Sequence, residues 1–139
     1  PVAAADDVVP AALRDAIGER LGQQRDEVAF AHLPLIGFPG EAPRPIVVVY
    51  LHPGVSIEQG LAVLAPALAE AAEAAERQAG GASGTDLDLL PIALDRPLDA
   101  LAQAVVRTDS MLCVHDEDAW RHAREGPPPK PLWKRILGL

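Results

Sequence analysis

One cysteine in 139 residues, Cys113, excludes an internal disulfide and a Cys-based zinc cluster, a usage that suits the reducing cytoplasm. Aromatic residues are only 4% of the chain, so Ala, Leu and Val must fill the core, and few rings are left to stack on bases. Positive charge is scarce as well. The net charge of −8 opposes a nucleic-acid role, because phosphate binding needs a basic stripe. No apolar run reaches the ~18–20 residues of a membrane helix, so no integral membrane association is expected. No signal peptide is visible. Neither GxGxxG nor GxxxxGK[ST] occurs, and no nucleophile–base arrangement can be read; no cofactor is expected.

What is there belongs to a globular domain: 49% apolar and 23% charged residues. Residues 1–5, "PVAAA", read as a frayed end. "VVPAALRDAIGERLG" carries Leu13, Ile17 and Leu21 at helical spacing. "DEVAFAHLPL" reads as a strand with Val28 and Phe30 on one side and Ala29, Ala31 and Leu33 on the other. "IVVVYLH", residues 46 to 52, is apolar on both faces, as in a central strand covered twice, and a short loop makes it an antiparallel partner of the previous strand. Ser56 and Gln59 form a capping-box pattern that opens a long helix, with Ile57, Leu61, Leu64 and Leu68 inward and Pro66 placed to kink or split it. "DLDLLPIAL" is a third strand in which Pro91 suits an edge. A helix with Pro97 in its first turn, a strand "SMLCVH" and a short helix "EDAWRHARE" complete the order α-β-β-α-β-α-β-α. The expected fold is α+β, a mixed or antiparallel four-stranded sheet covered by helices. Residues 1–126 form its single domain, and 127–139 a Pro-rich spacer and short amphipathic basic tail.

The chemistry-bearing residues crowd into "SMLCVHDEDAWRH". His115, Asp116, Asp118 and His122 could hold a divalent ion. The histidines are seven apart, however, where two ligands on one helix want three or four. The competing reading explains each residue: Met111 and Cys113 pack on one face of a strand, Leu112 and Val114 on the other, and Asp116 or Asp118 caps the next helix. Two other features could meet a partner. Glu70, Glu73 and Glu76 lay an acidic stripe on the long helix, which reads first as a solvated face with Glu73 and Arg77 spaced for an i,i+4 pair, and otherwise as a surface for a basic partner, the chain's own tail included. In the tail, Leu132, Trp133, Ile136 and Leu137 make an apolar face beside Lys134 and Arg135. The other 129 residues carry 9 basic and 20 acidic side chains, against three basic ones and no acid in residues 130–139. The tail can cover the domain's own core, enter a partner's groove or lie on an anionic membrane.

Three segments carry a family resemblance: "ALRDAIGERLGQQRDEVAFAHLPLI", "RPIVVVYLHPGVSIEQGLAVLAPALAEA" and "TDLDLLPIALDRPLDALAQAV". Over roughly residues 10–115 the chain resembles the C-terminal domain of the bacterial SseB family, the enhanced serine sensitivity proteins. Where that family closes on a Pro-Phe-Tyr signature, this chain has "SMLCVHDEDAW". The resemblance implies a non-enzymatic regulatory or interaction module of the bacterial cytoplasm and transfers no site residue. The expected partner is another protein, with homo-oligomerisation left open. An enzyme or metal-dependent protein centred on His115 to His122, or a domain whose tail binds a membrane surface, is the alternative.

Overall fold

Arg44–Leu51 (β4) is the strand around which everything else is placed, because each of its residues from Ile46 onward has an apolar layer to enter. The computed structural model describes residues 2–4, 9, 11–78, 88–95 and 98–125. In chain order these form β1 (Val2–Ala4), α1 (Ala11–Gly22), β2 (Val28–His32), β3 (Pro34–Ile36), β4, α2 (Ile57–Gln78), β5 (Asp88–Ala93), α3 (Ala100–Val106), β6 (Met111–Val114) and α4 (Glu117–Glu125). The fold is α+β, as expected, and the helices cover both faces of a mixed sheet.

The sheet has six strands rather than four. The segment expected to be one strand breaks at Leu33 into β2 and β3, and both pair antiparallel with β4 in a single register, His32 opposite Val48 and Leu35 opposite Pro45. The Leu33 N–H leaves the ladder and donates to the Ser110 carbonyl (2.8 Å). "PVAAA", expected to fray, instead holds β1, which pairs with β3. β6 flanks β2 antiparallel, and β5 joins the far side of β4 in parallel, after the long crossover through α2 that a parallel pair requires.

Two Pro-Gly turns frame β4. In Phe38 to Glu41 and in His52 to Val55 the fourth N–H donates to the first carbonyl at 3.1 Å. Gly40 and Gly54 sit at φ +79° and +91°. Those are type II turns, which require the left-handed conformation that glycine adopts without strain.

The two faces of the sheet differ in kind. Val47, Val49 and Leu51 of β4 meet α1 and α2 in a core without an aromatic residue, built on Leu13, Ile17, Leu21, Val28 and Leu64. Ile46, Val48 and Tyr50 face α3 and α4, and the described aromatic residues Phe30, Phe38, Tyr50 and Trp120 all lie there. Phe30 stacks on Tyr50 with ring centroids 4.3 Å apart, worth about 1 kcal/mol beyond the area buried.

Bulges correct the expected alternation twice. In β2 the register slips at Ala29, so Ala29 and Phe30 share the α3/α4 face while Val28, Ala31 and Leu33 take the other. In β6 the slip falls at Leu112, which sends Leu112 and Cys113 together toward α1 and leaves Met111 41% exposed.

The long helix opens on its capping box: Gln59 N–H donates to Ser56 Oγ and Ser56 N–H to Gln59 Oε1, both at 3.1 Å. Pro66 does not split it; α2 runs unbroken from Ile57 to Gln78. Its inward face is Gly60, Leu64, Ala67, Ala71 and Ala75, so Ile57 and Leu61, expected inward, point out. Gly60 sets this rotation. A Cβ there would lie 2.7 Å from Leu51 Cδ1, so the residue without one marks the closest approach to the sheet. α3 begins at Ala100, later than expected, with Asp99 as its cap (Ala102 N–H to Asp99 Oδ1, 2.8 Å); Pro97 lies outside the described residues.

Candidate functional site: a buried polar chain and an uncovered helix face

Among the described residues the buried polar side chains are His32 and Ser110, each fully enclosed. His32 is held there because β2 runs between β4 and β6, and Ser110 because its strand begins one residue later. Trp120 of α4 reaches down on them, its Nε1 3.2 Å from His32 Nε2. An indole N–H only donates, so Nε2 is the bare acceptor nitrogen and the imidazole proton sits on Nδ1. Nδ1 donates to Ser110 Oγ (3.1 Å), Ser110 donates to Thr108 Oγ1, and Thr108 donates to the Val105 carbonyl (2.6 Å). Four donors thus meet four acceptors in one direction, from α4 through the sheet to the end of α3.

This directionality decides what the Ser–His pair can do. A general base must present an unprotonated nitrogen to the hydroxyl it activates. Here the nitrogen facing Ser110 carries the proton and the other one is covered by Trp120. The pair is therefore wired to hold α4 on the sheet, not to activate Ser110. Burial, and then the positive Arg124 nearby, bring the His32 pKa down from 6.5 to about 4. Protonation would aim an N–H at the Trp120 N–H. Arg124 stands 5.3 Å above the Trp120 ring, and Arg107 Nε donates to the Arg124 carbonyl (3.3 Å), which fastens α4 to the end of α3. Beside this chain the Tyr50 hydroxyl donates to the Ala102 carbonyl, and burial, then Asp99, raise its pKa.

The candidate metal residues are set to other work. His115 Nε2 lies 3.1 Å from the Leu21 carbonyl and so donates to the end of α1, and the His115 and Asp116 N–H groups both donate to the Ala29 carbonyl (2.7 and 3.1 Å) at the bulge of β2. Asp116 caps α4, its Oδ1 accepting from the Ala119 N–H at 3.0 Å. Asp118 is exposed, 4.0 Å from Arg121, and His122 is exposed. Among the described residues no group of three or more His, Cys, Asp or Glu side chains could hold a metal ion. Burial raises the Cys113 thiol to about 11, which keeps it protonated at neutral pH.

Of the partner-binding candidates, Glu70 pairs with Arg20 of α1 at 3.1 Å, both side chains well exposed. Such a pair contributes at most about 1 kcal/mol. Glu73 is exposed, and Arg77 donates to its backbone carbonyl (3.4 Å) where a carboxylate pair was expected. Trp133, Lys134, Arg135, Ile136 and Leu137 lie outside the described residues.

One surface is unusual for a solvated helix. Residues 60–69 of α2, "GLAVLAPALA", contain no polar side chain, yet Leu61, Ala62, Ala65, Pro66 and Ala69 are exposed. Ile57 and Leu61 remain 39% and 37% exposed. A helix apolar all round is normally covered on every side. Gln59 and Glu70, both exposed, bracket the stretch, with Glu58 and Glu73 just beyond.

The buried chain escapes sequence reading. His32 stands in an apolar strand and Ser110 before another, 78 residues away, and only the sheet brings them together. The uncovered face has a readable signal: nearly three turns of helix with no polar residue. No protein-family model, curated protein or solved structure matches the chain.

Proposed function

We propose that this domain is a non-catalytic protein-interaction or regulatory module, SseB-like, of the bacterial cytoplasm, and that it binds another protein along α2. The supporting observation is the uncovered apolar stretch of α2 over residues 60–69. It has the composition of an interface core with a charged rim. The site chemistry leans the same way, since the buried Ser–His pair is oriented against nucleophile activation. Among the described residues no helix is long and apolar enough to cross a membrane.

Site-specific photo-crosslinking in the source cells tests the reading. A photoreactive phenylalanine at Leu61 should give a discrete adduct with another protein, and one at exposed Asp95 should not. Equal adducts at both positions, or none at Leu61, would overturn it.

A further inference from the structure

The partner reading leaves open what kind of partner α2 receives. We propose that the exposed face of α2 seats an amphipathic helix of another protein, apolar for about three turns and carrying a lysine or arginine at each end of that stretch. The proposal rests on the interaction reading above and adds the chemistry of the partner.

The face is a single stripe. At about 100° per residue, Glu58, Leu61, Ala62, Ala65, Ala69 and Glu73 fall within an arc of about 120°, and all of them are exposed. The middle of the stripe is apolar and each end carries a carboxylate, the two about 22 Å apart along the helix axis. Neither carboxylate joins an ion pair among the described residues, whereas Glu70, to one side of the stripe, is held by Arg20. Arg77 directs its Nε to the backbone carbonyl of Glu73 and not to the carboxylate. An apolar surface with an unneutralised acid at each end is complementary to an apolar surface with a base at each end.

Backbone chemistry selects a helix over an extended chain. Along the middle of α2 the N–H and C=O groups are taken up within the helix, so its outer face has none to offer a strand. A partner lying there dry must satisfy its own backbone, as a helix does. Leu61, Ala65 and Ala69 form one ridge at i,i+4 spacing and Ala62 and Pro66 the next. Alanine keeps both ridges low, so a second helix can settle larger apolar side chains between them. A second copy of α2 is the poorer cover, because its matching stripe brings two more carboxylates and no base.

The test titrates the full chain into fluorescein-labelled synthetic helical peptides of about 20 residues and follows anisotropy. The first peptide has a leucine seam and a lysine at either end, at the spacing of Glu58 and Glu73. The second replaces both lysines by glutamate, and the third keeps them and replaces the seam by glutamine. The wild type should bind the first about tenfold more tightly than either of the others. Glu58→Lys with Glu73→Lys should reverse the order of the first two. Leu61→Gln with Ala65→Gln should lower the first to the level of the third. All four positions are exposed, so the thermal unfolding midpoint should stay in place in both variants. The proposal is overturned if no peptide binds, if the glutamine peptide binds as well as the first, or if charge reversal on α2 leaves the order unchanged. Those results leave the crosslink expected at Leu61 intact, so the partner's chemistry and the partner reading fail separately. A dimer of the full chain that Leu61→Gln with Ala65→Gln dissolves would overturn the proposal in favour of a second copy, and the adduct at Leu61 would then have twice the mass of the chain.

Discussion

His32→Leu cuts the buried polar chain at its centre with little change in volume, and its effect must depend on pH. At neutral pH the variant leaves the Trp120 N–H without its acceptor beneath α4. Burying such a donor unpaired costs about 1–3 kcal/mol. The wild-type chain carries an opposite liability in acid. His32 has its pKa lowered in the folded state, from 6.5 to about 4. The unfolded chain therefore binds a proton between those values that the folded chain refuses. Stability from the neutral ring is complete above pH 6.5 and is lost as pH falls toward 4. Linkage puts the loss at about 2 kcal/mol by pH 5 and about 3 kcal/mol by pH 4. The leucine chain has no such term, and the carboxylates common to both chains cancel in the difference. Urea unfolding of the two chains at pH 7.5, 6 and 5 should show the wild type ahead at pH 7.5 and the gap shrinking by about 2 kcal/mol at pH 5. A gap constant within about 0.5 kcal/mol over that range would refute both the tautomer assigned to His32 and its place in the chain of hydrogen bonds.

Gly60→Ala gains about 1 kcal/mol of helix propensity but drives a methyl into Leu51, fully buried and 2.7 Å away. Overpacking of about 1–3 kcal/mol outweighs the gain, so thermal unfolding should show a net loss of about 1 kcal/mol, relieved when Leu51→Val is added. Asp116→Ala removes the cap of α4 and should cost about 1 kcal/mol by urea titration, whereas Asp118→Ala, inside the first turn and exposed, should cost less than half that. Cys113, its thiol raised from 9.0 to about 11, should be alkylated by iodoacetamide on the order of a hundredfold more slowly than in urea-unfolded chain; equal rates would place the thiol in solvent.

Local signals are legible in the amino-acid sequence by themselves. β4 stands out because both of its faces are apolar, and the Ser56–Gln59 box because its partners are three residues apart. Asp116 is readable as a cap for the same reason. The expectations that fail share a cause, which is that a distant contact sets the outcome. Whether Ala29 faces with Phe30 or against it depends on bulges that form only against β4 and β6. The phase of α2 cannot be read from residues 60–69, where every position is apolar; the approach of Gly60 to Leu51 decides it. Likewise His32 looks like any strand residue until Ser110 and Trp120 arrive from the far end of the chain.

The pairing of β2 with β6 also imposes an order of events on synthesis. β2 and β4 can zip together as soon as residue 51 is free, but the other edge of β2 waits for a strand that begins at Met111. His32 precedes its partner Ser110 by 78 residues. At roughly 5–20 residues per second a ribosome needs about 4–16 s to deliver it. Throughout that interval Phe30 and its neighbours present an unpaired apolar edge, the template on which unfinished chains pair with one another. A message truncated just before the codon for Met111 would fix the chain in that state, and its product should aggregate although α1, β4 and α2 are all present.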